Sequence, residues 1–311
     1  MTEAPRPRPA SAVHEDAFGL LGNTPHVRVD SGAAPGARVY VKLEGYNPTG
    51  SVKDRACVAM LRDKLATGEL RSGDTLLDAS SGNMGCAIAY FGRLLGYPTR
   101  VFSNSKLTGD KRAFIEYYGA ELDVVGDFTI EGNRACRKLA DENPERYCFL
   151  DQLHNPANPQ AHVEGTGPEI LAAFPELALL VCSLGSGGTL FGTASFLKRH
   201  LPDLLVVAVE AASGTRLPGT GAFVDGDYVT PFIAEGYEAK LFDRRFQVEL
   251  EEALERTRQL RDRGVFGGIQ TGGVYHAALD VAREERIAGD VVVISGDSGW
   301  KNMDKLKVIS R

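Results

Sequence analysis

The stretch Asn47-Pro48-Thr49-Gly50-Ser51-Val52-Lys53-Asp54-Arg55 decides the fold, because a strand pattern gives way there to a helix pattern. Before it, residues 39–43 alternate between apolar and polar side chains as in a β-strand, and after it apolar residues recur at helical spacing. Pro48 and Gly50 predict a turn between the two elements, and Ser51 is the predicted N-cap of the helix.

Lys53 falls in the first turn of this predicted helix. Unpaired backbone N–H groups and the positive end of the helix dipole disfavour an ammonium there and favour a neutral amine. A neutral amine can form a Schiff base with an aldehyde, which makes Lys53 a candidate catalytic residue. Taken alone, a lysine at a helix start is more often a solvated surface residue, so the local pattern leaves both interpretations open.

Outward from Lys53 the chain alternates strand and helix patterns separated by short loops rich in glycine and proline. The predicted strands cover residues 75–79, 99–102, 121–125, 147–150, 179–183, 204–210 and 291–295. The predicted helices cover residues 111–118, 131–140, 190–200, 250–263 and 273–283. Such alternation favours an α/β fold with parallel sheets covered by helices. Loops are predicted at residues 151–159 and 267–272, and the irregular segment 211–236 is predicted to be a mobile active-site loop.

Composition bounds the class of protein. The chain has 311 residues, 43% of them hydrophobic and 24% charged, which is long enough for two lobes of a globular protein. A net charge of −6 argues against a nucleic-acid partner, and the lack of an apolar run of ~20 residues argues against a membrane span. The five scattered cysteines predict reduced thiols in a cytoplasmic protein. No spacing indicates a metal site, and residues 1–12 are predicted to be a flexible arm.

Two glycine-rich loops follow predicted strands and precede predicted helices, where α/β sheets bind ligands. The loop Gly185-Ser186-Gly187-Gly188-Thr189 is a candidate phosphate site, because its N–H groups would converge at a helix start. The loop Ser80-Ser81-Gly82-Asn83-Met84-Gly85 could hold a carboxylate. Either loop could instead be a tight turn that needs small residues. His154, His162 and His276 lack a spaced carboxylate or cysteine partner and are predicted to be structural or surface residues.

Five motifs occur together in an order and spacing that resembles the cysteine synthase family. They are residues 47–55, 80–85, 155–159, 165–169 and 185–189. The resemblance extends from about Leu20 to Trp300 and includes the opening Leu21-Gly22-Asn23-Thr24-Pro25. It implies the fold-type II architecture of pyridoxal-phosphate enzymes, in which two α/β lobes hold pyridoxal 5'-phosphate between them. We expect residues 46–157 to form the smaller lobe, residues 13–45 and 158–311 the larger one, and two chains to form a homodimer.

The resemblance also implies roles for individual residues. Lys53 would be the Schiff-base lysine, and Asn83 would bind the oxygen of the cofactor's ring hydroxyl. The cofactor phosphate would be held by Gly185, Ser186, Gly187, Gly188 and Thr189. The substrate's carboxylate would be held by Ser80, Ser81, Gly82, Met84 and Gln152. Gly219 and Thr220 resemble a loop beside the active site of the family, and Arg216 is a candidate contact for a phosphate leaving group.

Two departures from the family pattern bear on the chemistry. A serine or threonine usually faces the pyridine nitrogen, whereas Gln270, followed by Thr271, stands here, and the sequence leaves open which of them makes the contact. Either neutral group would leave that nitrogen unprotonated. Met84 replaces the usual threonine and removes one side-chain donor. The segment 297–301 is most similar to actinobacterial cysteine synthases that accept O-phosphoserine.

The implied function is β-replacement on an activated L-serine, O-acetylserine or O-phosphoserine, through an aminoacrylate intermediate. A sulfur nucleophile, supplied as sulfide or by a sulfur-carrier protein, would give L-cysteine. The alternatives are an amine nucleophile giving a diaminopropionate-type product, β-elimination releasing pyruvate, and a non-catalytic binding scaffold. The presence of Lys53 argues against the scaffold.

Overall fold

The computed structural model describes residues 13–29 and 35–307, and the predicted arm at residues 1–12 lies outside them. The described chain forms two sheets covered by helices. The strands are β1 (His26–Arg28), β2 (Ala37–Leu43), β3 (Thr75–Ala79), β4 (Thr99–Ser103), β5 (Glu121–Val124), β6 (Tyr147–Phe149), β7 (Leu177–Ser183), β8 (Leu205–Ala211), β9 (Arg244–Val248) and β10 (Gly289–Ser295). The helices are α1 (Lys53–Ala66), α2 (Asn83–Leu95), α3 (Gly109–Tyr117), α4 (Thr129–Glu142), α5 (Ala157–Ala161), α6 (Gly167–Ala173), α7 (Gly188–His200), α8 (Pro231–Glu238), α9 (Leu250–Arg261), α10 (Ile269–Glu284) and α11 (Met303–Leu306).

The larger sheet has the strand order β1-β2-β10-β7-β8-β9, and its strands are parallel except for β1, which pairs with β2 in the antiparallel direction. Successive residues of β7 enter opposite cores: Leu179 and Val181 pack on one face, whereas Leu180 and Cys182 pack on the other. Both faces are therefore covered, which explains why the central strands are continuously apolar in sequence.

The smaller sheet has the strand order β5-β4-β3-β6, and all of its strands are parallel. Leu76 packs with Met60 of α1 and Ile88 of α2 on one face, while Leu77 packs with Cys136 of α4 on the other. Burying side chains of this size contributes about 1.5–3 kcal/mol each. The predicted fold of two parallel-sheet α/β lobes is confirmed, and the lobe boundaries at residues 46 and 157 stay a prediction.

Residues 267–272 are not a loop, because α10 already begins at Ile269. Gly272 lies inside this helix, where an added Cβ would overlap the carbonyl oxygen of Ala253 in α9. The glycine therefore permits close packing of two helices, which the sequence pattern cannot distinguish from a turn. The structure begins this helix four residues before the predicted start at Gly273.

The loops predicted over residues 211–236 and 151–159 are also partly wrong. The first contains the start of α8, where Thr230 caps the helix and Pro231 occupies its first turn. The second ends in α5, which contains Pro159. The edge strand β9 was not predicted from the sequence.

Candidate active site

The carboxyl ends of the central strands in both sheets meet at a cavity of about 380 Å³. Its wall contains Lys53, residues of the loop after β3 and residues of the loop after β7. A smaller cavity of about 40 Å³ shares Lys53, Asn83, Gly185 and Ser186 with it. The structure thus brings together the two glycine-rich loops and the lysine that the sequence singles out.

Lys53 is the first residue of α1, and its Nζ donates a hydrogen bond to Ser186 Oγ at 3.1 Å. Burial lowers the pKa of Lys53 to about 8. The neighbouring Cys182 and Asp78 oppose this shift of the Lys53 pKa, but their effect is smaller than that of burial. The neutral amine expected from the helix dipole is therefore favoured chiefly by loss of solvent.

The turn before Lys53 is joined to the end of β10. Val52 N donates to Gly296 O at 2.9 Å, and Ser298 N donates to Gly50 O at 3.0 Å. The prediction of Ser51 as N-cap is wrong by one residue, because Val52 occupies that position. The backbone of Ser51 instead pairs with that of Asp297, just after β10. The hydroxyl of Ser51 still accepts a hydrogen bond from Lys53 N at 3.3 Å.

Behind Lys53, a buried ionic network anchors α1. Arg55 donates to Glu44 through Nε at 2.7 Å and through Nη2 at 2.9 Å, and its Nη1 and Nη2 each lie 2.8 Å from Glu169. Lys42 is fully buried and lies 2.6 Å from Glu169. Both carboxylates stay ionised, since these cations keep the pKa of Glu44 below its usual value and lower that of Glu169 to about 2 despite burial.

Two glycines of the loop at residues 185–189 lie against neighbouring segments too closely to carry a side chain. Gly187 has φ of +86°, and a Cβ there would lie 2.6 Å from Ile233 Cγ1, while a Cβ on Gly188 would overlap the buried side chain of Asn158. Thr189 Oγ1 lies 3.3 Å from Nε2 of His162, whose pKa burial lowers to about 3. Backbone N–H groups at the start of α7 can therefore approach an anion with no side chain in the way.

The loop at residues 80–85 is less completely bonded. Ser80 Oγ accepts from Gly82 N at 2.9 Å, and Asn83 Nδ2 donates to Asp297 Oδ2 at 2.9 Å. In the described part of the chain, Asn83 Oδ1 and Asp297 Oδ1 are buried polar atoms with no hydrogen-bond partner. The side chain of Met84 packs in the core of the smaller lobe, so Met84 can contact a ligand only through its backbone N–H. Unsatisfied polar atoms beside a cavity fit a site that a polar ligand completes.

Gln270 and Thr271 differ in position. Gln270 lines the smaller cavity, with its Nε2 donating to Ser183 Oγ at 2.6 Å and its Oε1 accepting from Gly296 N at 2.8 Å. Thr271 is fully buried, and its hydroxyl lies 2.8 Å from Ser295 Oγ behind the cavity wall. Of these two residues, Gln270 is therefore the one placed beside the cavity.

The other predicted contacts also lie at the larger cavity. They are Gln152, Arg216, Gly219 and Thr220. The Gln152 side chain donates to Ala79 O. Arg216 is solvent-exposed. Among the described residues, no group of three or more His, Cys, Asp or Glu is placed to hold a metal ion, and no helix there is long and apolar enough to cross a membrane.

Sequence reasoning missed several residues of the cavity wall, including Ser183, Lys111 and Tyr228. The expectation that His154 has no carboxylate partner is wrong, because its Nδ1 lies 2.9 Å from Asp151 Oδ1 and its Nε2 lies 3.0 Å from Tyr228 Oη. The Asp151 contact, three residues away, is a local signal that the sequence did contain. Likewise, His276 Nε2 lies 3.4 Å from both Glu252 and Asp280.

These features agree with comparisons to known proteins. A family model described as pyridoxal-phosphate dependent enzyme matches residues 17–296, and the chain therefore belongs to this family. Within it, cysteine synthase B of Escherichia coli is 34% identical over 279 residues, which cover 88% of this chain and 90% of that protein.

Two solved structures share the whole fold. A hydrogen sulfide-producing enzyme of Fusobacterium nucleatum has a TM-score of 0.86 at 29% identity and covers 95% of this chain and 100% of its own. An O-ureido-L-serine synthase has a TM-score of 0.85 at 29% identity and covers 94% of this chain and 95% of its own. The cofactor is thus pyridoxal phosphate. The chain fits it through a buried amine, a glycine-rich anion cradle and unsatisfied polar atoms in the same cavity wall.

Proposed function

We propose that this protein catalyses β-replacement on an activated L-serine and forms L-cysteine with a sulfur nucleophile. The observation that carries the proposal is Lys53, an amine with a pKa near 8 held at the junction of the two glycine-rich loops. Cysteine synthases of several bacteria, 32–36% identical to this chain, support the substrate class.

The residues divide the work as follows. Lys53 would hold the cofactor and, as a free amine, would take the proton from Cα of the substrate. The loop at residues 185–189 holds the phosphate, and Asn83 meets the ring oxygen. The loop at residues 80–84 and Gln152 hold the substrate's carboxylate. Bound there, pyridoxal phosphate would withdraw electrons from Cα and so allow the β-substituent to leave.

The deciding experiment adds O-acetylserine or O-phosphoserine to the holoenzyme without a nucleophile. We expect the cofactor's absorbance band to change, with release of about one acetate or phosphate per site, and added sulfide should then restore the band and give cysteine. Lys53→Ala is the matched control and should release neither anion. A wild-type protein that releases neither would contradict the proposal.

One observation favours a second candidate with a different nucleophile. A structural neighbour of this chain is an O-ureido-L-serine synthase, a name that describes a β-substituted alanine other than cysteine. An amine nucleophile giving a diaminopropionate-type product belongs to the same chemistry. Offering sulfide and amines in competition, and identifying the product by mass, separates the two. Pyruvate formed without any nucleophile would instead indicate β-elimination.

Arg216 is proposed to bind a phosphate leaving group. Its side chain is exposed at the rim of the larger cavity, whose wall also contains Lys106 and Lys305. Replacing Arg216 with Ala should lower kcat/KM for O-phosphoserine about tenfold, the size of one charge-assisted hydrogen bond, and leave that for O-acetylserine within about twofold. An equal loss with both substrates would remove this role from Arg216.

We further propose that the protein works as a cytoplasmic homodimer and that its lobes divide at residues 46 and 157. The family resemblance supports the dimer, and burial of the five free cysteine thiols fits a reducing compartment. All four strands of the smaller sheet fall within the proposed smaller lobe. Light scattering of the purified holoenzyme tests the dimer, and a mass of one chain would exclude it.

A further inference from the structure

The smaller cavity has a floor that the family pattern does not describe. Ser183 at the end of β7, Ile294 in β10 and Gln270 in α10 line it together. The Gln270 side chain is 3% exposed, and its amide is fully occupied by protein groups. Its Nε2 donates to Ser183 Oγ at 2.6 Å and to Ile294 O at 3.5 Å, while its Oε1 accepts from Gly296 N at 2.8 Å.

Ser183 is in the opposite situation. Its Oγ accepts a hydrogen bond from Gln270 Nε2, and among the described residues its own hydroxyl donates no hydrogen bond. A hydroxyl carries one donor and two acceptor lone pairs, so accepting from Gln270 leaves that proton free. At the floor of the cavity, Ser183 is therefore the side chain with a donor to offer, and Gln270 has none left.

The proposed anchors fix which part of the cofactor faces this floor. Lys53, Asn83 and residues 185–189 meet the aldehyde carbon, the ring hydroxyl and the phosphate arm, which stand on three consecutive positions of the pyridine ring. The ring nitrogen lies directly across the ring from the aldehyde carbon. Held by these anchors, the ring nitrogen would point away from Lys53, toward the wall that the three anchors leave uncovered.

We propose that Ser183 donates the hydrogen bond to the ring nitrogen of pyridoxal phosphate and that Gln270 is a positioning residue that orients the Ser183 hydroxyl. This inference rests on the proposed anchoring roles of Lys53, Asn83 and the phosphate loop. The serine that faces the nitrogen is thus supplied by the end of β7, and the glutamine of α10 stands behind it. A neutral hydroxyl donor leaves the nitrogen unprotonated.

The test uses protein stripped of cofactor and reloaded with pyridoxal phosphate carrying ¹⁵N in the ring. In Ser183→Ala, we expect the ring ¹⁵N resonance to move downfield, toward that of a pyridine with no hydrogen bond. The affinity of the stripped protein for the cofactor should fall about fivefold, which corresponds to one hydrogen bond. In Gln270→Ala the changes should be smaller, and the double variant should match Ser183→Ala.

The opposite order would overturn the proposal. If Gln270 makes the contact, Gln270→Ala will show the larger changes and the double variant will match it. A resonance unchanged in Ser183→Ala also removes the role. Thr271→Val serves as a control for the second family candidate, and we expect its ¹⁵N resonance to match that of the wild type. The ¹⁵N resonance and the cofactor affinity are measured without substrate, so they test this proposal even if the protein does not catalyse β-replacement. Wild-type protein that binds no cofactor would refute the cofactor site as a whole.

Discussion

The loops at residues 185–189 and 80–85 begin alike, since each follows a buried parallel strand and opens a helix, but their surroundings differ. Behind the first loop, added atoms at Gly187 and Gly188 would meet Ile233 and the fully buried Asn158. Behind the second, a Cβ at Gly82 would meet the flexible stem of Lys111. The first loop is therefore backed by neighbours that are fixed in the core, whereas the second is backed at Gly82 by a side chain that can move.

This difference matches the different needs of the two ligands, the cofactor and the amino-acid substrate. A cofactor that stays through many turnovers is served best by a rigid cradle, because little ordering remains to oppose binding. A substrate that enters and leaves in every turnover is compatible with a loop whose neighbours can move. The following predictions test whether the two loops can be damaged independently.

The largest expected effect is on the rigid loop. Gly188→Ala places a methyl group against Asn158, which cannot yield because it donates to Gln152 O at 2.7 Å from a fully buried position. Overpacking of this kind costs about 1–3 kcal/mol, so cofactor affinity should fall up to about 100-fold. Fluorescence titration of cofactor-free protein measures this. Unchanged affinity would show that the loop can yield after all.

Gly82→Ala should have a smaller effect and act on the other ligand. Gly82 has φ of +144°, where a side chain costs roughly 1–3 kcal/mol of backbone strain. The strain should distort the 80–85 loop and raise KM for the amino-acid substrate about tenfold. Because Asn83 of this loop is proposed to meet the cofactor's ring oxygen, cofactor affinity should also fall, but by no more than about fivefold, the size of one hydrogen bond. Adding Lys111→Ala removes the contact but not the strain, and substrate binding fully restored in the double variant would mean that contact, and not φ, was the cause.

The third prediction concerns the pH dependence of cofactor attachment to Lys53. A folded-state pKa near 8 means that the neutral amine is half populated at pH 8 and about a tenth populated at pH 7. The rate of attachment should fall about fivefold between these values and level off above about pH 9. Stopped-flow absorbance with cofactor-free protein measures this rate. A rate that still rises steeply at pH 10 would mean that the pKa of Lys53 is that of an ordinary lysine.

Much of this fold could be predicted from sequence, because continuous apolar strands such as β7 and β10 and glycine breaks such as residues 185–189 are local signals. The failures came from tertiary causes. Gly272 looks like a turn residue until α9 lies against it. Ser183 is a candidate only because Gln270, 87 positions away in sequence, donates its amide hydrogen bond to the Ser183 hydroxyl. His154 needed Tyr228 from another segment.

The pairing of the Lys53 turn with the end of β10 has a mechanical consequence. Lys53 belongs by its helix to the smaller sheet, yet Gly50 and Val52 are joined by main-chain hydrogen bonds to Ser298 and Gly296, which follow the last strand of the larger one. The amine is therefore held from both sheets at once. Moving either sheet away from it would require these bonds to break or the start of α1 to deform.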